Sequence, residues 1–342
     1  GRIRRLPTEA GLTGSLRNWR NREKRMLHDV IEQIKLLNKF LITAHVRPDG
    51  DALGSELALY HILRSLGKEA VVYNQDPTPE NYRFLPGSET IVSTIDDPDQ
   101  YDAVFVLDCS KLERVGEKAE EIAGMKRLIN IDHHISNDGF CHFSYIDPAA
   151  SSTGELLYRL AEALPVELTK EAATSLYAAI LTDSGGFRYN STSKETLIAA
   201  GNLVGCGADP RWISEQIYEN NPLVKIRLLV KVLDTLRFDL GGRVGSMVVF
   251  RETLDSLGAT YDHTENFVDI PREIRGVDVA IFYSEMDERL FKLSLRSKDR
   301  INVERVAKVF GGGGHVNAAA CHIEGDFPDV HRHVLDAVRS VL

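Results

Sequence analysis

Largely apolar segments in the first half of the chain are short, and three of them stop at an acid or an imidazole. Phe40-Leu-Ile-Thr-Ala44 ends at His45, Ala103-Val-Phe-Val-Leu107 at Asp108, and Arg127-Leu-Ile-Asn-Ile131 at Asp132-His133-His134. Runs of this length, without period-two alternation, predict strands buried on both faces. Between and after them, apolar residues recur at helical spacing, as in 52–66 and 175–181. Strands alternating with helices predict an α/β fold whose parallel sheet carries helices on both faces.

The pattern changes after residue 195. Residues 195–236 read as mostly helical, including 210–218 and 222–236, and are expected to contain a connector over 196–236. After Gly241-Gly242, strand-like runs at 244–250, 277–283 and 290–295 predict a smaller mixed-sheet α/β domain over 237–342. A length of 342 residues suits two domains.

Charge divides the chain unevenly. The first 25 residues hold eight Arg/Lys and two Glu, so within an overall net charge of −9 the remainder carries −15. A basic arm over 1–25 could attract RNA, but disorder is the preferred expectation. The acidic remainder argues against a protein that coats long nucleic acid, whose affinity comes from many phosphate contacts. Nothing resembles a secretory h-region or an apolar run of membrane-spanning length. Cys109, Cys141, Cys206 and Cys321 lack Cys-x-x-Cys spacing, which argues against a disulfide framework or zinc knuckle and suits a reducing cytoplasm.

The chemistry gathers where the strands end. His45-Val-Arg-Pro-Asp49-Gly-Asp51 places three metal-ligand residues within seven positions at a strand-to-helix turn. Open parallel sheets bind ligands at the carboxyl ends of their strands, so His45, Asp49, Asp51, Asp108, Asp132, His133 and His134 are expected to converge. Asp183, opening Asp183-Ser-Gly-Gly-Phe-Arg-Tyr189, would join them. Carboxylates this crowded repel one another unless cations hold them. Two divalent cations would resolve the conflict, and mixed Asp/His ligation points to Mn²⁺, with Co²⁺, Fe²⁺ or Mg²⁺ as alternatives. Such a pair clamps a phosphoryl group and activates a water. Any one of these acids alone is as well explained as a helix N-cap; it is the combination that argues for a metal site.

Gly311-Gly-Gly-Gly-His315-Val-Asn317 allows positive φ and could form an anion-binding concavity, or simply a flexible turn after a helix at 303–310. His315, Asn317 and the separate Arg296 favour phosphate binding. Arg114 and Arg188 could each fork onto a phosphate, though a surface ion pair explains them equally well. Phe187 and Tyr189 could stack on a base or fill the core.

Taken in order, these motifs resemble the DHH phosphoesterases that carry a DHHA1 domain. The resemblance rests on Asp132-His133-His134, on the stretch from His45 to Ser55, and on Gly311-Gly-Gly-Gly-His315 preceded by Ser294-Leu-Arg-Ser297, and covers about 26–342. Within the family the chain is most similar to the stand-alone nanoRNase/pAp phosphatases. The resemblance implies a catalytic DHH domain over 26–195 and a substrate-binding DHHA1 domain over 237–342, with substrate in the cleft between. It implies that His45 and Asp49 hold one metal, Asp51 and His133 the other, with Asp108 bridging and Asp183 completing the set. His134 would face the substrate phosphate as proton donor, with Asp132 orienting its neighbours. Arg296, Gly312, Gly313, Gly314, His315 and Asn317 would bind substrate, with Arg114 and Arg188 as weaker candidates. Where relatives continue Ala-Ala-Gly, this chain reads Ala318-Ala-Ala320-Cys321.

The implied activity is Mn²⁺-dependent hydrolysis of short RNA oligomers to mononucleotides and of pAp to AMP. Alternatives are a cyclic- or linear-dinucleotide phosphodiesterase and, further off, a RecJ-like exonuclease, a family II pyrophosphatase or an inactive nucleotide-binding sensor. The implied partners are short RNA and pAp, without a membrane, and a homodimer is left open.

Overall fold

The structure, a computed structural model, describes residues 14–298 and 301–342. Residues 1–13 of the expected basic arm therefore lie outside the described residues, while 14–25 belong to the first helix. The chain divides into two compact units, 1–217 and 218–342.

In the first unit the elements follow as α1 (Gly14–Leu36), β1 (Lys39–Thr43), α2 (Gly50–Ser65), β2 (Glu69–Val72), β3 (Ala103–Leu107), α3 (Ala119–Ala123), β4 (Leu128–Asp132), β5 (Phe143–Ile146), α4 (Thr153–Ala163), α5 (Lys170–Asp183), α6 (Lys194–Gly205) and α7 (Pro210–Ser214). The five strands form a parallel sheet in the order β2-β1-β3-β4-β5. Alternate residues of each strand enter opposite cores. Phe40, Ile42, Phe105 and Leu107 pack among the apolar residues of α2, α4 and α5, whereas Leu41, Val104 and Val106 pack with Tyr73, Val115 and Ile122 on the other face. Covering both faces is why these strands are apolar without alternation.

Strand order reverses between β1 and β3, so the loops leaving these two strands diverge and open a crevice at their carboxyl ends. His45 follows β1 and Asp108 follows β3. Three helices pack together on one face of the sheet beside it. α2 lies so near α5 that a Cβ on Gly54 would meet the Ser175 carbonyl oxygen at 2.5 Å and the Ala179 Cβ at 2.9 Å. α4 approaches the same methyl, since a Cβ on Gly154 would lie 2.5 Å from the Ala179 Cβ. This close packing brings the last residue of α5, Asp183, beside the first turn of α2.

The second unit contains α8 (Leu223–Leu233), β6 (Arg237–Asp239), β7 (Val244–Val249), α9 (Arg251–Leu257), α10 (Asp269–Glu273), β8 (Val279–Asp287), β9 (Leu290–Ser297), α11 (Glu304–Val309), β10 (Gly313–His315), β11 (Ala318–Glu324) and α12 (Phe327–Arg339). Its six-stranded sheet runs β10-β11-β9-β8-β7-β6, with β7 and β8 parallel and the other pairs antiparallel. Val330, Val334 and Val338, spaced one helical turn apart, seat α12 on the face carrying Ile281, Leu293 and Leu295. The opposite face, with Ala280 and Phe282, receives Leu228 and Val232 of α8. The fold is α/β in both units, as the alternation of elements predicts. Among the described residues no helix is long and apolar enough to cross a membrane.

The shared methyl contact gives a direct test. Gly54→Ala puts a Cβ against a backbone carbonyl that cannot swing aside, so a loss of about 1–3 kcal/mol is expected. Urea unfolding of the metal-free protein measures it, and a change below ~0.5 kcal/mol would show that α2 and α5 have room to part.

Candidate metal centre

The expected ligands from three strand ends and one helix end meet in the first unit. His45 Nε2 lies 3.4 Å from Asp108 Oδ2 and 3.9 Å from Asp49 Oδ2. His133 Nε2 lies 3.5 Å from Asp108 Oδ1, 3.6 Å from Asp51 Oδ2 and 3.4 Å from Asp183 Oδ2. Asp108 is therefore the shared member. It occurs with His45 and Asp49, with Asp51 and His133, and with Asp132 and His134, each group having its donor atoms within 4.8 Å.

Local structure explains how each side chain is aimed. Asp49 caps α2: Oδ1 accepts the N–H groups of Asp51 and Ala52, both at 3.1 Å, while Oδ2 faces His45. The ordinary cap and the candidate ligand are thus the same carboxylate. Nδ1 of His45 donates to the Val46 carbonyl at 2.9 Å and Nδ1 of His133 to the Ala150 carbonyl at 3.3 Å, which directs both Nε2 atoms at the acids. Asp108 has φ of 52°, a left-handed conformation that costs energy outside glycine yet turns its carboxylate into the crevice. His134 donates from Nδ1 to Asp132 Oδ1 at 2.7 Å, and Asp132 Oδ2 accepts Asn137 Nδ2 at 2.6 Å. Asn137 also reaches Asn130 Oδ1 at 2.8 Å, and Asn130 in turn donates to the Val106 carbonyl.

The electrostatics record the crowding. Burial opposes ionisation of Asp108, but the hydrogen bond from His45 and the charges of His134 and His133 hold it well below the usual carboxylate range. Burial and the charge of Asp108 push Asp51 well above that range, and burial lifts Asp183 to about 6 against the pull of His133. His45 reaches about 9 despite its burial because of the hydrogen bond and charge of Asp108 and the charge of Asp49. His133 also reaches about 9, through Asp183, Asp108 and Asp51. Protons thus hold together a cluster of acids that cannot all be ionised alone. A set of oxygen and imidazole donors without thiolate, mostly buried but with Asp49 exposed at the rim, sharing one carboxylate, fits divalent cations in place of those protons.

The remaining candidates are spread over both units. Arg114 is exposed, with its carbonyl accepting the Val46 N–H at 2.8 Å, and Arg188 turns its Nε back onto the Gly185 carbonyl at 2.7 Å. Phe187 packs edge-on against Tyr177. In the second unit the glycine run begins as the expected turn after the helix, with Gly311 at φ of 74° and the Gly312 N–H donating to the Ala307 carbonyl, and continues as a strand in which Gly313 and His315 pair with Ala320 and Ala318. A Cβ on Gly312 would meet the Ala320 carbonyl oxygen at 2.1 Å and one on Gly314 the Ala318 oxygen at 2.4 Å, so these two glycines serve close approach, whereas Gly313 has open space. Asn317 donates to Ser297 Oγ at 2.9 Å, and Arg296 sits on β9 opposite Ala318 with its Nε buried and unpartnered.

Comparison with known proteins decides the family. The model of the DHH family N-terminal domain matches residues 39–180 and that of the DHHA1 domain matches 245–342. The chain is 34% identical to the Thermus thermophilus bifunctional oligoribonuclease and PAP phosphatase NrnA over 93% of its own length and 94% of that protein's. The chain belongs to the DHH/DHHA1 family. It is a DHH phosphoesterase with candidate His/Asp metal sites. The Bacillus subtilis bifunctional oligoribonuclease and PAP phosphatase NrnA is 26% identical over 87% of this chain and 93% of that protein. Among solved structures, an exopolyphosphatase-related protein from Bacteroides fragilis superposes with a TM-score of 0.85 at 29% identity, covering 93% of this chain and 96% of that one. RecJ from Thermus thermophilus in complex with Mn²⁺ superposes with a TM-score of 0.52 at 14% identity, covering 93% of this chain and 55% of that one, a likeness of fold.

Two outcomes follow from the geometry. His45 and His133 bind protons more tightly folded than unfolded, so their contribution to the metal-free protein is complete below about pH 6.5 and is lost as pH rises through about 9. Glu56, pushed up to about 8 by burial, acts in the same direction from lower pH. The melting temperature of chelator-treated protein should therefore fall from pH 6.5 to 9.5, while the increment produced by Mn²⁺ grows because the cation competes with those protons. A flat metal-free profile would contradict this account. Separately, Asp108→Asn keeps the shape and tolerates the left-handed backbone but removes the shared charge. Mn²⁺ binding by calorimetry should weaken and phosphoesterase turnover should drop about 100-fold or more; wild-type metal content and rate in that variant would remove Asp108 from the centre.

Proposed function

We propose that this phosphoesterase hydrolyses very short RNA oligomers to mononucleotides and removes the 3′-phosphate of pAp, with Mn²⁺ as its working cation. The observation that carries the reading is the position of Asp108, within reach of His45, His133 and His134 at once. The choice of substrate is supported by near full-length similarity to the Thermus thermophilus oligoribonuclease and PAP phosphatase.

In this reading His45 and Asp49 would hold one cation and Asp51, His133 and Asp183 a second, with Asp108 common to both. When bound, such a pair supplies Lewis-acid charge neutralisation at phosphoryl oxygens. The protein supplies the proton chemistry. With Nδ1 of His134 committed to Asp132, a proton exchanged with substrate would travel on Nε2. In hydrolysis the hydroxyl of one water would go to phosphorus as the P–O bond to the ribose breaks; the leaving ribose oxygen would take a proton from Nε2, the proton given up by the water would restore Nε2, and Asp132 would orient the ring throughout. Asn137 and Asn130 keep the Asp132 carboxylate from rotating. In the second unit, Arg296 offers a buried Nε–H with no partner, and with Gly313 and His315 it is proposed to bind substrate.

The net charge of −9 favours short substrates, because each added phosphate is repelled by the acidic bulk instead of being gripped. With Mn²⁺, two- to five-nucleotide RNAs should be cleaved faster than a 24-nucleotide strand, and pAp should yield AMP. Labelled RNAs of graded length, run beside pyrophosphate and cyclic di-AMP, test this. Equal or rising rates at 24 nucleotides, or preference for pyrophosphate or the cyclic dinucleotide, would overturn the substrate assignment.

A further inference from the structure

Thr153, the first residue of α4, is fully buried and touches two of the central acids without being one of the expected ligands. Its backbone N–H donates to Asp51 Oδ2 at 2.8 Å, and its hydroxyl donates to Asp108 Oδ1 at 3.0 Å. The next N–H, of Gly154, reaches Asp51 Oδ1 at 2.9 Å. Both oxygens of Asp51 are thereby fixed by consecutive amides at the positive end of an eleven-residue helix. The oxygens that Thr153 contacts are two of the three carboxylate oxygens around His133 Nε2, at 3.6 and 3.5 Å.

The segment that delivers Thr153 is itself pinned from both ends by one half-buried guanidinium. Arg159 Nη1 donates to Asp147 Oδ2 at 2.7 Å, just beyond β5, and Nη2 donates to Glu155 in the first turn of α4. Glu155 in turn accepts the Ser151 amide at 3.1 Å and the Ser151 hydroxyl at 2.7 Å. Residues 147–155 therefore form a clasp whose tip is Thr153.

We propose that Thr153 is a positioning residue of the metal centre: its hydroxyl sets the rotation of the shared Asp108 carboxylate, and its amide does the same for Asp51. A hydroxyl donating to Oδ1 takes one lone pair of that oxygen and leaves the other directed into the crevice. Outer hydrogen-bond partners of ligating carboxylates commonly govern affinity by about 10- to 100-fold. The inference rests on the metal-centre reading given above.

The test compares Thr153→Val, which keeps the shape and loses the hydroxyl, with Thr153→Ser, which keeps the hydroxyl and loses the methyl. Mn²⁺ titration by calorimetry is the primary readout, with kcat and KM on a dinucleotide as the second. Thr153→Val should weaken Mn²⁺ binding by about 10-fold or more and lower kcat, whereas Thr153→Ser should stay within about 3-fold of wild type in both. Unchanged Mn²⁺ affinity in Thr153→Val, or an equal loss in both variants, would overturn the role of the hydroxyl. If circular dichroism shows the valine protein unfolded, Thr153→Ala replaces it under the same two outcomes. Failure of the wild-type protein to bind Mn²⁺ would instead overturn the metal-centre reading, and this inference with it.

Discussion

A single buried carboxylate organises the first unit. Asp108 is 3% exposed, stands where the order of strands reverses, and is ringed by the imidazoles of His45, His133 and His134. An isolated ion at that depth would carry a desolvation cost that no small domain could carry, so the fold has to bring positive charge to it from several directions. It does so with side chains from β1 and β4, whose loops end on the same edge as that of β3. The other acids, Asp51 and Asp183, are then too close to ionise freely, and the whole cluster becomes a place where protons and divalent cations compete for the same oxygens.

Rigidity around that carboxylate comes from backbone as much as from side chains. Asp49 is held by the amides of α2, Asp51 by the amides of α4, and the two histidines by peptide carbonyls through their Nδ1 atoms. Backbone groups fixed in regular structure have few alternative positions, so the ligand side chains inherit the precision of the sheet and helices. The left-handed turn at Asp108 is the local exception, a strained conformation held by the buried strands on either side of it.

The strand ends and the convergence of the acids were legible because parallel strands buried on both faces are largely apolar, and an acid or imidazole following such a segment stands at its carboxyl end, although single polar residues such as Thr43 and Asn130 also lie inside the strands. The family motifs added the order of the pieces. Other parts have no such local signature. Strand β11, Ala318-Ala-Ala-Cys-His-Ile-Glu324, has little β-propensity and is held by its pairing with β9 and by burial of Ala319 and Cys321. The glycine run read as a turn, which Gly311 makes, but the close approach that Gly312 and Gly314 allow between neighbouring backbones has no sequence signature. Thr153, Asn130 and Asn137 were missed because a hydroxyl or amide gains its meaning from a neighbour far away in sequence, and nothing in a single chain of letters pairs 153 with 108.

The meeting of α2, α4 and α5 at the methyl of Ala179 carries a consequence for descent. A Cβ at 154 would meet chiefly the Ala179 methyl, at 2.5 Å, whereas one at 54 would meet the Ser175 carbonyl oxygen at 2.5 Å as well as that methyl at 2.9 Å, so a side chain at 54 requires a helix to shift. Two of these helices carry Asp51 and Asp183, and the third supplies the amides that hold Asp51, so a shifted helix would move a central acid or its support. Position 54 is therefore tied to the placing of the acids themselves, and descent can vary it only together with the metal centre.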